Sequence, residues 1–429
     1  MSKSSDIENL KELEKNSELS KINLSNQKEE KETKEIKLPE KKKRLYGIDL
    51  LRIYSMFMVI IFHYIQYCNF ETNNIAYKFK RYFFYFLRNW GLCCNQIFGF
   101  ISGYIGVNSS HKLQTLILLI ISVTIYSVII EFYCVIKEKR KYTIFQYILI
   151  FFPMGRNLFW YYSTYSALFF FMPYINLVVK NVGRIESQKI CFIMFVLFNC
   201  IVPIFNTYVF GFKCNTLVML SMDYYYGAHI QLYGVFIEKY RKIFLVLIMI
   251  ICNIFNTFLL YLNDVNIQHE KKLFSLEGFK FEYNLFVIIR TFCYICIFKD
   301  LNLCNLCEKI IKLITPSVFY IYILGFNQYN YKIYKDQTLS VLKYFEVIYT
   351  LLYKSLFLWM KLFIIDYIRR LIFDFLKIQN LARMIANKIE WLTHKCFKDN
   401  SYEQINKEEN LEKKINDKVE ETTSKNEKN

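Results

Sequence analysis

The chain reads as an all-α, polytopic membrane protein with about ten transmembrane helices and disordered tails, and three observations predict this. Of its 429 residues, 54% are hydrophobic and 19% aromatic, far above soluble usage. Apolar runs of roughly 20 residues, the length that crosses a hydrocarbon core of about 30 Å, recur between residues 48 and 367. Both ends are built instead from Lys, Glu, Ser and Asn, with too little apolar surface to offset the entropy of ordering.

Taken in order, residues 1–44 form a disordered cytosolic arm that ends in Lys41-Lys42-Lys43-Arg44. Spans are expected near 48–68, 90–107, 113–136, 158–179, 189–209, 216–237, 242–263, 281–299, 309–328 and 341–367, within a transmembrane domain over 45–367. Tyr147 to Met154 is too short to cross and carries Pro153, so it reads as an interfacial or re-entrant piece. Residues 368–397 form a basic amphipathic segment whose Leu381 to Cys396 stretch is expected on the inner surface, and 398–429 is a second disordered tail.

An even number of spans puts both termini on one side. Lys41 to Arg44, with Arg369, Arg370 and Lys377 after the last span, makes that side cytosolic. Two loops expected on the other side are also basic, with Lys78, Lys80, Arg81 and Arg88 in one and Lys137, Lys139, Arg140 and Lys141 in the other. No secretory leader is expected, because the start is polar and the first apolar run is too long for one.

A net charge of +18 invites a nucleic-acid reading, but the basic residues sit in tails and short loops rather than along one binding face. Anionic lipid is the better partner for them. Most of the 13 cysteines lie within apolar runs, where they act as small hydrophobes, so no disulfide framework follows. Cys304-Asn305-Leu306-Cys307 has metal or redox spacing without a second Cys or His pair, and no metal site is expected.

Asp49, Arg52, Met56, Ile60, His63 and Tyr67 recur at three- and four-residue steps and make one stripe of the first span. Eleven steps of about 100° bring Arg52 and His63 to the same face, about 16 Å apart along the axis. One reading has Arg52 snorkel and pair with Asp49 while His63 bonds a carbonyl. The other has a general base at depth and a phosphate-binding cation toward the cytosol.

Gly99, Gly103 and Gly106, with Ser102 among them, let another helix or a ligand come close. Arg290, near the middle of its span, either lines a cavity or pairs structurally. Glu131, Asp223 and His229 are further ionisable residues within spans, His229 reading best as a packing residue, while His111, His269 and His394 receive no role.

Three segments carry a resemblance. Arg44-Leu-Tyr-Gly-Ile-Asp-Leu-Leu-Arg-Ile through His63, Asn95-Gln-Ile-Phe-Gly-Phe-Ile-Ser-Gly-Tyr104, and Phe159-Trp-Tyr-Tyr-Ser-Thr-Tyr165 to Pro173-Tyr-Ile-Asn176 resemble the acyltransferase-3 family of integral-membrane acyltransferases. Tyr226 to Tyr233 and Ser317 to Gly325 are similar to later family segments, except that Gly325 stands where the family has a His.

The resemblance implies transfer of an acyl group, acetyl first, from acyl-CoA to a carbohydrate or glycolipid hydroxyl. Acetyl-CoA or another acyl-CoA would be the co-substrate, without a metal. His63 would be catalytic, taking the hydroxyl proton, and Arg52 would help hold the donor. Ser102 and Tyr104 become candidate oxyanion donors, and Asp49, Trp160, Tyr165 and Arg290 candidate substrate-binding residues. A proton-coupled transporter of an acyl donor or glycolipid, and an inactive scaffold of the same fold, are the competing readings.

Overall fold

A computed structural model describes residues 44–67, 75–139, 143–154, 159–205, 217–268, 279, 282–326, 334 and 343–397. The tails expected over 1–43 and 398–429, Arg140, Lys141 and His269 lie outside the described residues, as do the side chains of Lys78 and His394. The described residues from Tyr46 onward form one compact unit. Among the described residues every regular element is helical, as expected of an all-α chain.

The helices, in chain order, are α1 (Tyr46–Gln66), α2 (Ile75–Leu92), α3 (Cys94–Gly106), α4 (Leu113–Glu138), α5 (Ile144–Ile150) and α6 (Trp160–Asn181). Next come α7 (Gly183–Met194), which runs through a π-helical turn at Phe195–Ile201 into α8 (Val202–Phe205), then α9 (Leu217–Tyr233) and α10 (Lys242–Gln268). The last are α11 (Leu285–Phe298), α12 (Asn305–Ile314), α13 (Val318–Gly325), α14 (Tyr344–Phe375) and α15 (Ile378–Phe397).

Among the described residues, four helices are long and apolar enough to cross a membrane: α1, Leu113–Lys137 of α4, Lys242–Asp264 of α10 and α14. Large apolar side chains stay exposed along α10 (Phe244, Leu247, Ile251, Phe255) and α14 (Phe345, Phe357, Ile364, Ile368), the faces a hydrocarbon solvent would cover. The molecule is therefore a membrane protein.

α6 is one helix of 22 residues, and several of the other apolar runs fold into shorter or interrupted pieces. α3 has 13 residues and α11 has 14, each about 20 Å long. The run expected over 309–328 breaks at a 3-10 turn, Thr315–Ser317, because Pro316 cannot donate to the preceding turn. The Tyr147 to Met154 piece begins as the seven-residue α5, where Thr143 and Gln146 cap each other reciprocally.

Several boundaries move. Lys80, Arg81 and Arg88, expected in a loop, lie on α2, since the Phe- and Tyr-rich run between them gives that helix a face to bury at Phe84 and Leu92. The last long helix continues to Phe375, so Arg369 and Arg370 are helical rather than beyond the span. α15 covers the expected amphipathic stretch and buries Ala382 and Ala386 beside Ile117 of α4.

The tightest packing is between α3 and α9. A Cβ on Gly103 would overlap the Tyr224 carbonyl oxygen, and one on Gly227 would overlap the Phe100 carbonyl oxygen. The glycines of α3 thus admit a helix.

Candidate functional site

Four helices and a break line a cavity. α1 contributes Arg52, α3 contributes Phe98 and Ser102, α6 contributes Tyr161 and Tyr165, and the broken α12–α13 segment contributes Thr315, Pro316 and Val318 to Tyr320. Thr115, Leu116, Leu118 and Leu119 of α4 close the remaining side around a volume of about 320 Å³. Among the described residues that line it, Arg52 is the one charged side chain.

Asp49 sets the guanidinium. One helical turn earlier on α1, its buried carboxylate takes Arg52 Nη1 at 3.1 Å, and no other hydrogen bond engages Arg52 among the described residues. The rest of the planar fork can meet an anion in the cavity, where a partly apolar wall strengthens the attraction.

Ser102 and Tyr165 share the cavity with Arg52, so three of the sequence-predicted residues come together. Ser102 Oγ donates its proton to Phe98 O at 2.8 Å and lies beside the Tyr165 hydroxyl, with which it also pairs. Tyr165 stacks on Tyr161 with ring centroids 6.4 Å apart, and Trp160 braces Tyr161 edge-on at 5.4 Å without reaching the cavity wall.

Tyr104 and Arg290 lie elsewhere. Tyr104 follows Ser102 by two residues, about 200° around α3, and packs in the opposite apolar cluster near the Lys299–Glu238 ion pair, which closes at 2.7 Å. Arg290 is fully buried between α11 and α10, where Nη1 donates to Asn253 Oδ1 at 2.7 Å and Nε to Phe286 O at 3.3 Å. Those bonds are structural.

His63 does not line the cavity. Its imidazole sits among aromatic rings, 4.1 Å from Phe326, 5.7 Å from Tyr67 and 6.0 Å from Tyr334. Nδ1 is buried without a hydrogen-bond partner among the described residues.

A smaller hollow of about 30 Å³ lies beside the middle of α1. Met56 and Val59, the next turns after Arg52, line it together with Asn95 and Tyr322, and it shares Phe98, Tyr161, Val318 and Phe319 with the main cavity. His63 stands one further turn along, and the Tyr322 ring lies 5.3 Å from Phe326.

Sequence reasoning missed the wall made by the break and the group behind it. Pro316 in the middle of an apolar run was the available signal. Behind Tyr320, the fully buried Asp366 Oδ1 accepts from Arg369 Nε and Tyr126 OH, both at 2.7 Å. Arg370 Nη1 donates to Leu313 O at 2.7 Å, bracing the carbonyl end of α12.

Two histidines form polar clusters outside the cavity. Asn176 donates to Gly106 O at 3.2 Å and bonds His111 Nε2 at 2.9 Å, while Tyr224 OH donates to Asn176 Oδ1 at 3.0 Å. Burial, then Lys180, pushes the His111 imidazole below its ordinary range, against one raising bond at Gly106. His229 Nδ1 lies 2.7 Å from Ser187 Oγ, a packing role.

No family model, curated protein or solved structure matches this chain.

Proposed function

We propose that the chain is a membrane acyltransferase that moves an acyl group, acetyl first, from acyl-CoA to a hydroxyl of a carbohydrate or glycolipid. The protein crosses the bilayer several times with both termini in the cytosol. Arg52 holds phosphate of the donor, and His63 takes the acceptor's proton as the oxygen attacks the thioester. The Ser102 and Tyr165 side chains, neighbours on the cavity wall, contact the reacting groups.

One observation carries this reading. The cavity that holds Arg52 adjoins a smaller hollow beside Met56 and Val59, and His63 follows Val59 by one turn of α1, lining neither space and lying behind the Phe326 ring. Because the Phe326 ring covers the imidazole at 4.1 Å, the reaction requires that ring to swing aside.

The test is turnover by purified protein in detergent with acetyl-CoA and a glycan acceptor. Loss of thiol release in both His63→Ala and Arg52→Ala, with wild type active, supports the reading. Glycolipid or proton flux without acyl-CoA consumption would support the transporter instead, which the helix break beside the cavity favours.

A further inference from the structure

Cys304 and Cys307 stand outside the cavity and outside the proposed reaction. Among the described cysteines they are the two exposed ones; the others are buried or half-buried. Cys304 caps α12 in an extended conformation, with φ −71° and ψ 155°, and Cys307 is the third helical residue. The two sulfurs lie 3.2 Å apart.

Geometry divides their work. The start of α12, with the Cys307 backbone first and the facing Cys307 sulfur next, holds the Cys304 thiol below its ordinary range, although no backbone N–H makes a cap hydrogen bond to its side chain. Cys307, facing that sulfur, is pushed up. One thiol is poised to attack and its neighbour to resolve.

We propose that Cys304 and Cys307 form a redox-active dithiol whose substrate is an accessible disulfide, of the size and chemistry of glutathione disulfide. The Cys304 thiolate attacks one sulfur of that disulfide, the S–S bond breaks, and the departing thiolate takes a proton from water. Cys307 then loses its proton to solvent and attacks the Cys304 sulfur, releasing the second thiol. The dithiol is oxidised by two electrons to an intramolecular disulfide, and the substrate is reduced to two thiols. Closing from 3.2 Å to a bond needs only side-chain rotation. The pair heads the helix whose far end enters the cavity wall at Thr315 and Pro316.

The experiment equilibrates the purified full-length protein in detergent with glutathione buffers from reducing to oxidising, followed by acid trapping and mass analysis of the peptide carrying both cysteines. Wild type is expected to lose two hydrogens and keep no glutathione. Cys307→Ser is expected to retain glutathione on Cys304, and Cys304→Ser to react on the order of tenfold more slowly at Cys307. A glutathione adduct persisting on wild type, no disulfide at any ratio, equal reaction of the two single variants, or a stoichiometric zinc ion shielding both thiols would overturn the proposal. Both positions are exposed, so a unimodal size-exclusion profile is expected of every variant.

Discussion

The Arg369 guanidinium lies 4.0 Å above the ring of Tyr320, a residue of the cavity wall. The same guanidinium donates to the fully buried Asp366, and its Nη1 reaches Ser122 Oγ at 3.3 Å. A cation from the last long helix therefore backs the wall from behind.

Breaking that group leaves a charge buried without its partner. Arg369→Ala is expected to lower stability by about 3–5 kcal/mol, whereas the double variant Asp366→Asn, Arg369→Met recovers part of the loss. Thermal unfolding in detergent reads this. A double variant no more stable than Arg369→Ala would remove the buried pair from the account.

Arg52 is expected to act on donor binding. Arg52→Lys loses the planar fork that both Asp49 and a phosphate use, so KM for acyl-CoA rises about tenfold or more while kcat changes less. Steady-state kinetics with varied acyl-CoA separate the two constants. An unchanged KM would sink Arg52 as the donor-holding cation.

His63 is expected to act on the chemical step. His63→Gln keeps a polar side chain of similar reach but no base, and kcat falls by about 10²–10⁴. Phe326→Ala, which uncovers the imidazole, is expected to raise accessibility at His63, read by its diethylpyrocarbonate modification rate. If His63→Gln retains wild-type turnover, the proton goes elsewhere.

Gly103→Ala is expected to destabilise the bundle by about 1–3 kcal/mol, because the new methyl meets the backbone of α9 rather than a flexible side chain. Gly183→Ala is the comparison. Nothing lies within 4 Å of its Cβ, so only the φ of +74° is strained, at about 1 kcal/mol. Equal melting temperatures for the two variants would contradict the close helix contact.

The His111 cluster gives a pH dependence with a fixed sign. Its folded-state pKa is depressed, so the unfolded chain binds the proton first as pH falls below about 6.5. Stability is complete above that value and is lost on the acid side, by a small amount because the ring is partly exposed. Melting curves at pH 7.5 and 5 should differ less in His111→Gln than in wild type.

Read alone, the sequence determined what depends on local pattern and composition. It yielded the helical class, the apolar character, the first helix with Asp49, Arg52 and His63 on one stripe, and α15 as an amphipathic helix. Those follow from a 3.6-residue period and from hydrocarbon-like runs that no solvent-facing segment would carry.

Tertiary structure alone decided which residues meet. Ser102 and Tyr104 share a motif yet face opposite sides of α3. Arg290 turns to Asn253, and the break at Pro316 makes a wall that a continuous span would not. Sequence spacing fixes the angle at which a side chain leaves its helix, but the neighbour on that side is chosen by how the whole bundle packs.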